Sequence, residues 1–425
     1  MAGAFDYRAT ASTVGYAPVG GSVLALNGPT IITEGTQEYL RTGNVKAYDS
    51  SYADAIAAAP QLRVFGTPAN SYYSSSYTAS YSPTIAYSAS TYATGAGMSG
   101  AAGYIGTSLS LLSTSSTASV INPGSGAFVY PLYSSTYIVI AKAVDTAPTY
   151  STDGGATSAG SVGGTFTICP VKTAGIFANN TWLMLSSLNA TSGEQCYIAS
   201  ANPTGAWTVG ASTNIGMTLV KSISYGGGVF VAVGVNASSA TAGKIATTAS
   251  AGSAWTDRTA GAGITFVTAD SVYGSCFSGT NHVALYGTSS TTTKAMISPD
   301  GINWTAKTLP IVCDTTVSDG AGTVIAYYGA GAPSATLSTG VSFALSTDNG
   351  ATWTIANVYK GTCPVVGVGA KRIWFVNNKW IVFHTGDPHN FVDLGASIST
   401  PNYIGQQTTL PDDVLTGSGY YVRIK

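Results

Sequence analysis

The stretch "FHTGDPHN", residues 383–390, sets His384 and His389 about Asp387. Imidazoles beside a carboxylate are the chemistry of a divalent metal site or of general acid–base catalysis. The two histidines are five residues apart in a Gly/Pro loop with no third ligand in view, and the stretch reads as an ordinary loop. The remaining histidine, His282, opens the apolar run "HVALYG". Cys169, Cys196, Cys276, Cys313 and Cys363 are odd in number, widely spaced and never in a CxxC pair, so they read as buried free thiols rather than zinc ligands. Glutamate occurs three times, at Glu34, Glu38 and Glu194. No GxSxG, P-loop or dinucleotide-binding glycine phrase stands between a strand and a helix, and no cofactor or metal is expected.

The elements that would have to position such residues are strands. Charged residues make up 8% of the 425-residue chain and apolar ones 45%, enough for a core and too apolar for disorder. Thr, Val, Ile and Tyr abound and Gly recurs every few residues, the composition of an all-β protein. The net charge is −1 and no basic stripe exists, which excludes the electrostatic footprint of nucleic-acid binding. The opening "MAGAFDYRATAS" lacks the basic and apolar regions of a secretory signal, and no apolar run approaches the roughly 18 residues of a membrane span. So few charges leave two readings of the surface: neighbouring subunits cover it, as in a homo-oligomer, or it is neutral and rich in Ser and Thr.

Length alone would divide the chain into two or three domains, but it repeats. "STDNGATWT" (346–354) follows "ISPDGINWT", "TTASAGSAWT" and "IASANPTGAWT", so that Trp207, Trp255, Trp304 and Trp353 fall 48, 49 and 49 residues apart. One more step back lies "STDGGATS", with Ser151, Asp153 and Gly155 but no tryptophan. The fuller copies carry Ser298, Asp300 and Gly301, and Ser346, Asp348 and Gly350. The copies ending at Trp207 and Trp255 lack the aspartate. Between these turns run "IFANNTWLML" (176–185), "ISYGGGVFVAVG" (223–234) and "WFVNNKWIVF" (374–383), each reading as strand, Gly/Asn turn and apolar strand. One unit is therefore two hairpins, four strands in about 49 residues, which points to a β-propeller blade. In the Asp–Gly turn, glycine accepts positive φ and the Asp side chain accepts from its own backbone, while the tryptophan packs on the next strand pair. None of this needs a ligand.

"STDNGATW" matches every defined position of the Asp-box, Ser-x-Asp-x-Gly-x-Thr-Trp, and "SPDGINW" a shortened form, so residues 130–390 resemble the sialidase-type (BNR) propellers. The resemblance implies the fold. It also implies that Ser151, Asp153, Gly155, Trp207, Trp255, Ser298, Asp300, Gly301, Trp304, Ser346, Asp348, Gly350 and Trp353 are structural residues on the propeller periphery. A sialidase needs an arginine cluster for the substrate carboxylate, a tyrosine nucleophile with a glutamate, and an aspartate acid/base. Here only Arg258 and Arg372 lie in the clear repeats, Arg258 on an outer strand after Trp255, and Glu194 sits in a loop beside a box. The catalytic set is not assembled, and the chain is expected not to be an enzyme.

Six second strands are legible: "YIVIAK" (137–142), "TWLMLSS" (181–187), "VFVAVG" (229–234), "HVALYG" (282–287), "VIAYYG" (324–329) and "WIVFHTG" (380–386). A seventh is expected at "LRVFG" (62–66), followed by the box-like "IAYSAST" (85–91) and a low-complexity insert over 91–130; six blades are the alternative to seven. Three regions result: an N-terminal attachment segment (1–60), the propeller (61–405) and a C-terminal closing strand (406–425) whose "YYVRIK" pairs with an N-terminal strand.

Within "GTQEYLRTGNVKAYDSSYADAIAAAP" (35–60), the phrase Tyr39-Leu40-Arg41-Thr42-Gly43 resembles segments of bacteriophage tail-fibre and virion proteins; an irregular first blade is the alternative. The resemblance implies a virion component, on a tail fibre or baseplate, attached to other virion proteins through its N-terminal segment. The tyrosines of "NSYYSSSYTASYSPTIAYSASTYATG" (70–95), Tyr72, Tyr73, Tyr77, Tyr81, Tyr87 and Tyr92, alternate with Ser, Thr and Ala. They read either as ordinary strands with part-buried rings or as a recognition surface for a host glycan or protein. Two functions follow: a non-enzymatic virion protein, and a carbohydrate-binding or carbohydrate-active propeller.

Overall fold

The computed structural model describes residues 22–25, 31–34, 37–44, 63–65, 71–72, 84–95, 103–107, 109, 113–115, 131–140, 147–156, 160–161, 172–186, 195–205, 207–212, 215–235, 243–251, 253–267, 270–288, 292–328, 340–359, 372–383, 391–398 and 419–423. Apart from one short 3-10 turn, Thr259–Gly261, the elements described are strands. Seven antiparallel sheets follow one another along these residues: I (84–115), II (131–161), III (172–212), IV (219–257), V (271–313), VI (315–359) and VII (372–393). The first strand of each sheet touches the first strand of the next, and Arg372–Val376 of sheet VII touches Thr84–Ser88 of sheet I. The sheets therefore form a closed ring, and the fold is a β-propeller.

Tight turns set the register of each first hairpin. Asn179-Asn180, Gly227-Gly228 and Asn377-Asn378 all have positive φ at both central residues, the geometry of two-residue turns that match the twist of antiparallel strands. An aromatic pair closes five of these hairpins: Tyr87–Tyr92, Phe177–Trp182, Tyr225–Phe230, Phe277–His282 and Phe375–Trp380, with ring centroids 4.3–4.9 Å apart. His282 is thus the imidazole member of a repeated aromatic position. All six apolar runs expected as second strands are second strands. They supply the core, with Leu183, Val231, Val283, Ile325 and Val382 fully buried.

The segment expected as the seventh unit is built differently. Arg63–Phe65 is a fifth strand lying parallel to Thr354–Tyr359 on sheet VI, not a second strand. "IAYSAST" is no box: Thr84–Ser88 is the first strand of sheet I, and Ala89-Ser90 make its turn at φ 48° and 59°. The supposed insert over 91–130 contributes the other three strands, Thr91–Gly95, Gly103–Gly106 and Ser113–Ser115. The pattern was weak because four of the six buried side chains of its first hairpin are small: Ala86, Ser88, Ala93 and Thr94 accompany Ile85 and Tyr92.

Ring closure also differs. Ser71–Tyr72 pairs antiparallel with Phe391–Asp393 and completes sheet VII as its fourth, outermost strand, so strands from both flanks of the repeats share one sheet. The C-terminal strand Gly419–Arg423 does pair with N-terminal strands, Ser22–Ala25 and Gln37–Asn44, but in a separate sheet with Ile31–Glu34.

Candidate functional site

The Ser-x-Asp-x-Gly turns join the third and fourth strands of their sheets. Ser346 Oγ donates to Asp348 Oδ1 at 2.7 Å and accepts from the Gly350 amide at 2.8 Å. Asp348 also accepts from the Thr352 amide, and Trp353 Nε1 donates to the Gly350 carbonyl at 3.0 Å. In sheet V, Ser298 and the amides of Ile302 and Asn303 donate to Asp300 Oδ1, and Trp304 Nε1 donates to the Gly301 carbonyl. In sheet II, Ser151 Oγ bridges Asp153 Oδ1 and the Gly155 amide. These converging donors hold the Asp300 and Asp348 carboxyls below the ordinary carboxylate range, although partial desolvation acts against them. In the copy ending at Trp207, Asn202 replaces the aspartate and its Oδ1 accepts from the Thr204 amide.

Each tryptophan packs on the preceding sheet, not the next. Trp207 lies among Leu132 and Val139 of sheet II, Trp255 among Leu183 and Leu185 of sheet III, Trp304 among Val231 and Ile245 of sheet IV, and Trp353 among Val283 and Leu285 of sheet V. The turns seat on the same neighbours. Gly350, at φ +83°, approaches so closely that a Cβ there would stand 2.9 Å from Val283 Cγ2. Asn281 Nδ2 of sheet V donates to the Asn349 carbonyl of sheet VI at 3.1 Å. The serines and aspartates singled out in the sequence therefore engage their polar atoms within their own turns, and the indoles fasten one sheet to the next; Trp207, Trp304 and Trp353 also bond their own turns through Nε1, whereas Trp255 Nε1 is buried without a partner.

The concave chemistry lies on the inner side of the ring. A cavity of about 400 Å³ is lined by Leu132 of sheet II, Ala174 and Gly175 of sheet III, Lys221, Ser222 and Ile223 of sheet IV, Thr315, Thr316, Val317 and Tyr327 of sheet VI, and Arg372, Ile373 and Trp374 of sheet VII. Nearly all belong to first strands. Lys221 and Arg372 are its charged residues; no carboxylate is among the described lining. Lys221 sits at a register shift between Val220 and Ser222, a β-bulge that redirects a side chain from strict alternation. Gly234 makes the bulge possible, since a Cβ there would lie 2.1 Å from the Leu219 carbonyl oxygen. Ser222 Oγ accepts from the Ser275 amide at 3.0 Å and so ties the inner strands of sheets IV and V. Burial raises the Tyr327 phenol, while the Arg372 guanidinium bonded to it acts in the opposite sense. Thr315 Oγ1 donates to Asp314 Oδ1 at 2.8 Å, outside the lining.

Other candidates resolve as follows. Arg258 Nε donates to Thr247 Oγ1 at 3.0 Å and lies outside the cavity lining, as its outer-strand position implied. Arg372, by contrast, reaches the cavity. Tyr92 is buried and accepts from Asn377 Nδ2 at 2.7 Å, so it packs between sheets instead of facing a ligand. Tyr87 is half-buried against it, and Tyr72 lies in the strand that completes sheet VII. Tyr73, Tyr77, Tyr81, His384, Asp387 and His389 lie outside the described residues. Cys276 and Cys313 are free, and burial pushes both thiols up to about 12, which leaves them unreactive near neutrality. His282 is fully buried: Nε2 donates to the Gly226 carbonyl at 3.2 Å, which leaves Nδ1 to accept from Ser224 Oγ at 3.0 Å. That pair has the form of a serine activated by a base. Both groups are sealed between sheets IV and V, and desolvation pushes the imidazole down to about 4. Among the described residues no three potential metal ligands converge, and no helix is long and apolar enough to cross a membrane.

Sequence reasoning missed Lys221 and Trp374. The available signal was a lysine interrupting the first strand "LVKSISYG". No family model matches the chain, and no curated protein matches it. Among solved structures it is similar to YCF48 bound to D1 peptide, at 12% identity over 77% of this chain and 98% of that one, TM-score 0.47. It is similar to YCF48 from Cyanidioschyzon merolae at 11% identity over 74% and 94%, TM-score 0.44. It is also similar to the Niastella koreensis GH74 enzyme at 14% identity over 74% and 62%, TM-score 0.31.

Proposed function

We propose that this chain is a non-enzymatic structural component of a bacteriophage virion, a tail-fibre, baseplate or tail-associated protein. It assembles as a homo-oligomer and attaches to other virion proteins through its N-terminal segment. The observation that carries this reading is the separate terminal sheet. Gly419–Arg423 is held between Ser22–Ala25 and Gln37–Asn44, so the phage-like phrase Tyr39–Gly43 lies in a sheet that takes no strand from the ring. Such a sheet suits attachment, with the propeller left to face outward for recognition. The low charge of the chain fits surfaces covered on assembly. Mass spectrometry of purified particles of the encoding phage tests the reading: the chain is expected among the virion proteins, and its absence from them defeats it.

A second reading, recognition of carbohydrate by the ring, is favoured by the inner cavity with its hydroxyls, its indole and its cations. Binding on a glycan array without release of reducing sugar is the expected result. Sugar release would replace the non-enzymatic reading, and no binding would remove this one.

A further inference from the structure

We propose that the terminal sheet docks on an acidic face of another virion protein through Tyr39, Arg41, Tyr421 and Arg423, which lie on two adjacent strands. The inference deepens the virion reading and rests on it.

The pairing register brings these residues together. Gly419–Arg423 runs antiparallel to Gln37–Asn44, with Tyr39 opposite Arg423 and Arg41 opposite Tyr421. Residues two apart on a strand share a face, so all four stand on one face of the sheet. The register shift in this pair falls after Arg41 and leaves both rows intact. The outer strands extend the rows, since Val23 lies opposite Tyr421 and Ile32 opposite Tyr39. One row therefore reads Val23, Tyr421, Arg41, and the next reads Arg423, Tyr39, Ile32. The opposite face is the more apolar, with Leu24, Val422, Leu40 and Ile31.

The composition of the first face is that of a docking site. The whole chain has six arginines, and two of them meet here at diagonal positions, roughly 7–8 Å apart. Arginine and tyrosine are the residue types that, with tryptophan, carry most of the binding energy at protein interfaces. A diagonal of two cations gives the sheet no cross-strand attraction of its own. It suits a partner's carboxylates, which a guanidinium grips through two parallel hydrogen bonds. Glu34 is the one carboxylate on this face among the described residues, two strands away from Arg423; Glu38 belongs to the opposite face. The described strands of this sheet pack extensively on one another and on no described strand of the ring.

Two other occupants fit less well. A nucleic-acid backbone calls for a stripe of cations, whereas this face offers two arginines and a glutamate in a chain of net charge −1. A second copy of the same face would bring arginines towards arginines.

Particles of the encoding phage carrying substituted chains test the proposal, with the chain's content per particle measured by quantitative mass spectrometry. Arg41→Glu combined with Arg423→Glu should lower that content about tenfold or more. Arg423→Lys, which keeps the charge and loses the fork, should lower it less. Glu38→Gln, on the opposite face, should leave it unchanged. Hydrogen exchange of the purified full chains shows whether Gly419–Arg423 stays protected, which separates loss of the face from loss of the sheet. Where the glutamate pair loses that protection, Arg41→Lys with Arg423→Lys decides by the same measurement, a lowered content supporting the proposal and an unchanged one overturning it. Full content of a folded glutamate pair, or an equal loss in Glu38→Gln, overturns the proposal and keeps the virion reading. Absence of the native chain from particles removes both. Binding of oligothymidylate by the native chain that the glutamate pair abolishes assigns the face to nucleic acid. An oligomer that the same pair dissolves assigns it to a second copy, and either result overturns the proposal.

Discussion

The outer turns and the inner cavity use polar residues in opposite ways. In the turns Ser346, Asp348 and Trp353 look like reactive groups, yet their polar atoms are engaged within the turn and the indole is buried on the neighbouring sheet. In the cavity Lys221 is exposed and belongs to no motif, yet it faces a concavity lined from five sheets. Repetition marks the residues that hold the ring together, because every sheet must solve the same packing problem. The cavity is a single place on the ring, and its lining is shared among five copies that contribute different residues. A site of that kind has no reason to recur.

This contrast predicts that changes in the turns act on stability and leave binding alone, while changes in the cavity do the reverse. Trp353→Ala removes a buried indole that fastens sheet VI to sheet V, and should cost about 3–5 kcal/mol in denaturant unfolding. A loss under about 1 kcal/mol would mean that the sheets do not depend on these indoles.

Acid should act through His282. Its folded value, about 4, lies below its ordinary 6.5, so between these pH values the unfolded chain takes up a proton that the folded chain refuses. Stability should therefore fall as pH drops from about 6.5 to about 4, by roughly 3 kcal/mol in all. His282→Phe, which restores an aromatic partner for Phe277, should flatten that window. The carboxylates Asp300 and Asp348 are depressed, so their contribution is present above the ordinary carboxylate range and is lost only in stronger acid. Unfolding followed at stepped pH in both proteins separates the two phases.

Asp348→Ala should cost about 1 kcal/mol, a modest effect because the carboxylate is partly exposed and solvent screens it. Lys221→Met is expected to shift stability by no more than about 0.5 kcal/mol, as exposed substitutions do, while changing ligand affinity. A large loss of stability in Lys221→Met together with unaltered binding would erase the distinction between the two regions.

The strand pattern was readable wherever large apolar side chains mark it. "TWLMLSS" and "VFVAVG" are second strands as expected, and the Asn-Asn and Gly-Gly turns carry the positive φ their residues favour. Sheet I was misread because Ala86, Ala93, Ser88 and Thr94 bury almost no apolar surface each, so the alternation that identifies a strand is faint. The direction of tryptophan packing was also misread, since periodicity says that units touch but not which neighbour an indole leans on. Arg258 and Arg372 were both visible as arginines within the repeats, and only their strand positions, outer and inner, separate a structural hydrogen bond from a place in the cavity.

The sequence by itself determined the unit: four strands, their turns and the residues that lock one turn to its own backbone, all interactions between residues near in sequence. Tertiary structure alone decided the partners distant in sequence. It placed Ser71–Tyr72 beside Phe391–Asp393, put the expected pairing of the C-terminal strand with N-terminal ones in a sheet apart from the ring, and brought Lys221 and Arg372 to one cavity from strands about 150 residues apart. Local hydrogen bonding and alternation are written in short words of sequence. The meeting of distant strands depends on how the sheets stack and on the geometry of ring closure, which no short word encodes.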